Sequence, residues 1–175
     1  MMRHTQPPRR LRLGATVLVT CLILVTAWPA VAEVVHFKEL LPFVDLNLQG
    51  WAMEGKPSGT TLKQGQVTVS EARAAYKAGD KSLEIVIMDF LGKPLPFLMG
   101  HQLEMETTEE MVRTTEVLGF RALETFRHQE KQGELNISVA DRFWVKIDGE
   151  GIENIDVLKS VVNQMDLKKL ATLVK

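Results

Sequence analysis

Residues 81–90 read KSLEIVIMDF, and the rest of the chain is organised around them. Leu83, Ile85 and Ile87 point to one side of an extended chain while Val86, Met88 and Phe90 point to the other, so both faces of the run are apolar. Such a strand is expected in the middle of a sheet, covered on both sides. Immediately before it, VTVSEARAAYK (67–77) is a second extended run, and Ala78-Gly79-Asp80 between the two has the turn chemistry of a hairpin.

Toward the N-terminus, GWAMEGKPSGTTLKQGQ (50–66) is rich in Gly and turn residues and reads as a short strand around Trp51 followed by a loop. Phe37, Leu40 and Leu41 have helical spacing just before Pro42 and predict a helix of one or two turns. In the other direction, KPLPFLMGHQL (93–103) predicts a short helix or an ordered loop. MVRTTEVL (111–118) is a weak strand. FRALETFRH (120–128), ELNISVA (134–140) and RFWVKID (142–148) then alternate apolar and polar residues, with links of hairpin length between them. They place Phe120, Ala122 and Phe126 on one face with Glu124. Leu135, Ile137 and Val139 face inward with Phe143, Val145 and Ile147, and Trp144 lies opposite.

The chain ends in helix. Ile155, Leu158, Val161, Val162 and Met165 form one stripe with Asn154 as its cap, and Asp166 can cap a last helix carrying Leu167, Leu170 and Val174. The expectation is an α+β domain: an antiparallel sheet of about six or seven strands with flanking helices, the C-terminal amphipathic helix packed on the sheet.

Residues 9–32, RRLRLGATVLVTCLILVTAWPAVA, set the compartment. A basic head, an uncharged apolar stretch and Ala30-Val31-Ala32 form the pattern of a secretory signal peptide over residues 1–32, with a single domain at 33–175. An uncleaved anchor is the alternative, since Leu13–Ala32 just reaches the length of about 20 residues that spans a bilayer. The expected location is periplasmic or secreted, with the membrane touched only through this segment if it is retained. Residues 1–32 hold four arginines and no acid, so residues 33–175 keep 17 Lys and Arg against 22 Asp and Glu, a charge of −5. No basic cluster suits nucleic acid. The sole Cys, Cys21, lies in the leader, so the domain has no thiolate and no disulfide.

The order FKELLP, GW, KSLEIVIMDF, LGFRALETF and GELNISVADRFWVKIDGEG before an amphipathic helix resembles a group of small exported bacterial proteins of unassigned role. It is more distantly similar to the PsbP-like extrinsic subunits of photosynthetic oxygen evolution. The resemblance implies an antiparallel sheet between helices and an accessory or scaffolding role, and it transfers no site residue.

Candidate sites follow from local chemistry. Phe90, Leu95, Phe97, Leu98 and Met99 concentrate apolar side chains between two parts of the sheet, and with Trp144 they form the candidate binding set for a protein or an apolar small molecule. The competing reading makes the segment a helix closing the core and makes Trp144 the cover of a helix on the sheet's second side. Asp89 and Glu124 are the carboxylates a hydrolase would use, if they met; Glu124 could instead reach the sheet edge or pair with Arg121 or Arg142. His101 near Met99, Glu104, Met105 and Glu106 offers weak Cu(I)-type donors without metal-site spacing, and the acidic run Glu104, Glu106, Glu109 and Glu110 reads as a solvated face or a helix start, not a calcium loop. Asn136-Ile137-Ser138 matches a glycosylation sequon inside a predicted strand. No hydrolase elbow, P-loop or dinucleotide fingerprint occurs. No catalytic residue, metal ligand or cofactor is assigned. The function expected is that of an exported, non-enzymatic accessory or binding protein, with a carboxylate hydrolase and a weak metal binder as alternatives.

Overall fold

In the computed structural model of the chain, residues 33–65, 67–91 and 102–174 are described, and all belong to one compact unit, Ala32–Lys175. Eight strands form one antiparallel sheet: β1 (Ala52–Gln64), β2 (Val67–Ala78), β3 (Lys81–Asp89), β4 (Glu104–Glu106), β5 (Glu110–Val117), β6 (Phe120–Arg127), β7 (Gln132–Val139) and β8 (Phe143–Glu150). Their spatial order is β1-β2-β3-β8-β7-β6-β5-β4. Two meanders, β1 to β3 and β4 to β8, are therefore joined where β3 pairs with β8. The helices are short: α1 (Phe37–Leu40), continued as a 3-10 turn through Leu41–Phe43, then α2 (Asp156–Val162) and α3 (Leu167–Ala171).

This corrects the expected fold class. The chain is predominantly β, with eight strands instead of six or seven, and its helices are too small to make it the α+β domain anticipated. Two elements account for the difference. The Gly/Pro-rich stretch after Trp51 is a 13-residue strand. It lies at the sheet edge, and its register shifts between Glu54 and Ser58 around Gly55 (φ 78°), Lys56 and Pro57. A bulge on an edge strand accommodates proline because no ladder hydrogen bond is required there. At the opposite edge, Glu104–Glu106 pairs with Met111–Arg113 although all three residues are exposed. Short, acidic edges of this kind resist pairing with other chains, and they leave no apolar alternation to read.

The inner face of the sheet is the core. Ala72, Ala74, Tyr76, Leu83, Ile85, Ile87, Ala122, Leu135, Ile137, Val139, Phe143, Val145 and Ile147 are all buried there, as the alternation predicted for β6 to β8 requires. The C-terminal stripe closes over it, with Ile155, Leu158, Val161, Val162 and Met165 buried and Asp166 capping α3 through Lys169 N (2.9 Å). Val174, expected in the last helix's apolar face, is exposed. What lets α2 approach is a glycine pair: Gly133 faces Gly149 across β7 and β8. A Cβ at Gly149 would stand 2.7 Å from Leu158 Cδ2, and one at Gly133 would stand 2.8 Å from Ile152 Cδ1.

The outer face departs from expectation. The central strand was predicted to be covered on both sides, yet no helix among the described residues lies on this side. Val86 is buried between its register neighbours Arg73 and Lys146, whose long apolar stems suit that role, while Met88 and Phe90 are half-exposed. An amphipathic sheet of this kind needs burial on one face only.

The N-terminal strap is tied to the sheet through Tyr76. Its buried hydroxyl donates to the Val44 carbonyl and accepts from Leu46 N (2.9 Å), and burial pushes its pKa up. Tyr76→Phe removes no bulk but leaves two strap groups without their partner, so unfolding free energy in urea should fall by about 1–3 kcal/mol.

Candidate functional site

Of the six residues expected to bind, the structure describes Phe90 and Trp144; Leu95, Phe97, Leu98 and Met99 lie outside the described residues, as does His101. The two are brought together. Trp144 is opposite Met88 in the β3–β8 register, Phe90 follows β3 by one residue, and their rings lie 6.2 Å apart at 31° on the outer face. Trp144 Nε1 donates to Asn136 Oδ1 (2.9 Å), so the indole is held at one edge while remaining half-exposed. Asn136 itself is buried in β7 and donates to Glu134, which removes the sequon from the reach of a modifying enzyme.

Asp89 and Glu124 are both fully buried on the inner face, and they do not meet. Glu124 aligns through Leu135 and Ile147 with Ile85, three strands and four residues from Asp89, or about 20 Å at ordinary sheet spacings. Each has its own partners. Asp89 accepts from Arg142 Nη2 (2.7 Å) and Nε (3.1 Å), from Val35 N (2.7 Å) and from Leu91 N (2.9 Å). Glu124 faces Arg113 across β5 and β6 at 2.8 Å, and this contact raises the Arg113 pKa. Lys159 of α2 stands 2.9 Å from the other Glu124 oxygen, an ion pair whose angles fall short of a hydrogen bond.

Arg121 and Arg142, the partners expected for Glu124, do not reach it: Arg142 pairs with Asp89, and Arg113 was not anticipated. The signal was present in the turn: a two-residue Leu118-Gly119 link makes Val117 face Phe120 and so makes Arg113 face Glu124. Arg121, the other arginine considered, is on the outer face opposite Glu116.

A third cluster was not anticipated. Glu84, Asp148 and Glu134 stand side by side on the outer face of β3, β8 and β7. Lys146 bridges two of them, 3.0 Å from Asp148 and 3.3 Å from Glu134. Like charges directly opposite each other repel. Burial, and then the charges of Glu134 and Glu84, push the Asp148 pKa up against the opposing pull of Lys146. The row was invisible before the two registers were known.

Among the described residues no group of three His, Cys, Asp or Glu side chains is arranged to hold a metal ion. His36 accepts from Lys38 N (3.3 Å) and lies against Phe37, and His128 meets the Phe126 ring edge-on. A depression of about 450 Å³ is lined by Gln102, Thr114, Thr115, Glu116, Gly119 and Arg121, a polar set near the β4 edge. Its lining includes two threonine hydroxyls and the charged Glu116 and Arg121.

Two outcomes follow. Asp89→Asn leaves the Arg142 guanidinium buried without its counter-charge and should cost about 3–5 kcal/mol in urea unfolding, far above an exposed pair. For Asp148 the folded pKa lies above the unfolded value, so its stabilising proton is bound below the usual carboxylate range near pH 4 and lost as pH rises through the raised pKa. Melting temperatures should therefore show Asp148→Asn gaining on the parent between pH 4 and pH 7; a constant or shrinking difference contradicts this.

No protein family model, no curated protein and no solved structure matches the chain.

Proposed function

We propose that the chain is an exported, non-enzymatic accessory or binding protein that acts through an apolar surface, and that Phe90 and Trp144 belong to that surface. The observation that carries this reading is their meeting on the sheet face that no described helix covers, where Trp144 presents a half-exposed ring held in place by Asn136. An amphipathic ring fixed in orientation loses little conformational freedom on binding and is favoured at contact centres.

The opposing reading, hydrolysis by paired carboxylates, draws no support from the geometry. Asp89 and Glu124 are far apart and buried, and each is held by its own cations, Asp89 by buried Arg142 and Glu124 by the partly exposed Arg113 and Lys159, so the two do not form a catalytic pair. The leader-like residues 1–32 and the similarity in element order to small exported proteins favour an accessory role outside the cytoplasm.

The test is retention on the envelope fraction of the cells that make the protein. Residues 33–175 should be retained. The double substitution Phe90→Ser, Trp144→Ser should reduce retention about tenfold while circular dichroism stays unchanged, as loss of a buried aromatic contact predicts. Retention that survives both substitutions in a folded protein overturns the reading.

A further inference from the structure

We infer that one end of the sheet is a membrane-contacting surface whose partner is the lipid bilayer itself; this deepens the proposed binding role by naming what is bound. The end in question holds the β1–β2 tip, the close of β3, the β5–β6 turn and the β7–β8 turn. Six large apolar residues are exposed among the described residues, and three of them lie along this end: Leu62 (59 %) and Val67 (49 %) in the first hairpin and, on the far side of β3, β8 and β7, Leu118 (40 %) in the β5–β6 turn. Leu103 (48 %) lies just inside, opposite Thr114. The β1–β2 hairpin runs three residues past the last β2–β3 pair, Ser70 with Asp89, so its tip projects from the sheet. Behind the tip on the outer face, Leu62 pairs with Val69, and Phe90 and Trp144 continue the apolar surface inward.

Two features single out this end, and the first points to lipid. The first is where the chain enters. Glu33, the first described residue, is held at this end by its carbonyl, which accepts from Arg142 Nη2, and Val35 N is bound to Asp89 beside it. The residues directly before it, Leu13–Ala32, are the apolar run long enough to span a bilayer. With the leader retained as an anchor, the alternative to cleavage, the chain leaves the bilayer at residue 32 and begins its domain at the end that carries Leu62, Val67 and Leu118.

The second is the β5–β6 turn. Leu118 (φ 54°) and Gly119 (φ 85°) form a two-residue link with both residues left-handed, where Asn-Gly is the favoured pair. A leucine there carries backbone strain and holds its side chain in water. Such a double cost is expected where the exposed side chain is used.

Vesicles of phosphatidylethanolamine and phosphatidylglycerol test this with residues 33–175, whose core is drawn wholly from Val34 to Leu170. The domain should co-sediment with vesicles. Leu62→Ser with Leu118→Asn should lower partitioning roughly tenfold or more, as removal of two inserted side chains requires, and Val174→Ser should not. Leu118→Asn alone should raise the melting temperature while weakening binding, a combination that a merely structural leucine cannot give. No sedimentation of the parent domain, or equal loss in Val174→Ser, overturns the inference. So does a lipid-independent dimer dissolved by the double substitution, which assigns the end to a second copy. If envelope retention depends on Phe90 and Trp144 while vesicles bind nothing, the partner is a protein: the lipid inference falls and the binding role stands.

Discussion

The carboxylate of Asp89 is where three distant parts of the chain are held together. It closes β3, takes the guanidinium of Arg142 from the β7–β8 turn, and accepts the backbone N–H of Val35 from the N-terminal strap. A buried ion pair gains little over a well-packed apolar pair because both ions lose their water. What this one supplies is position. With four donors converging on two oxygens, only one placement of the strap and the turn satisfies all of them, so the end of the sheet where the strap enters is geometrically defined.

The opposite problem, holding helices on the sheet, is solved by an absence of side chains. Gly133 and Gly149 open a hollow in the inner face, and Ile152, Ile155 and Leu158 fill it. Lys159 on the same helix then reaches the buried Glu124. Apolar contact sets the distance and charge sets the angular position, which suits a seven-residue helix too short to be stable alone.

Where the sequence was legible, one physical rule governed. Strands β6 to β8 and the C-terminal stripe bury one face against the core, so their apolar residues recur at fixed spacing and their inward residues were assigned correctly. The sheet edges obey no such rule. β1 carries Pro57 and two glycines where an edge tolerates them, so it was read as a short strand and a loop; β4 is three exposed residues and was missed, and the fold class was misjudged. The site divides the same way. Phe90 and Trp144 could be named from alternation alone. Their contact depends on the β3–β8 register, and so do the carboxylate row of Glu84, Asp148 and Glu134 and the separation of Asp89 from Glu124, because pairing between residues more than fifty positions apart leaves no local trace.

That same β3–β8 pairing has a consequence for how the molecule comes into being. Ser82 must find Glu150 and Asp89 must find Phe143, so the two meanders stay separate until nearly the whole chain is available. Closing so long a loop is entropically costly and slow. A chain delivered from its N-terminus would hold β3 with one edge unpaired until β8 arrives, and the final strand of the sheet is the one that converts two half-sheets into a protein.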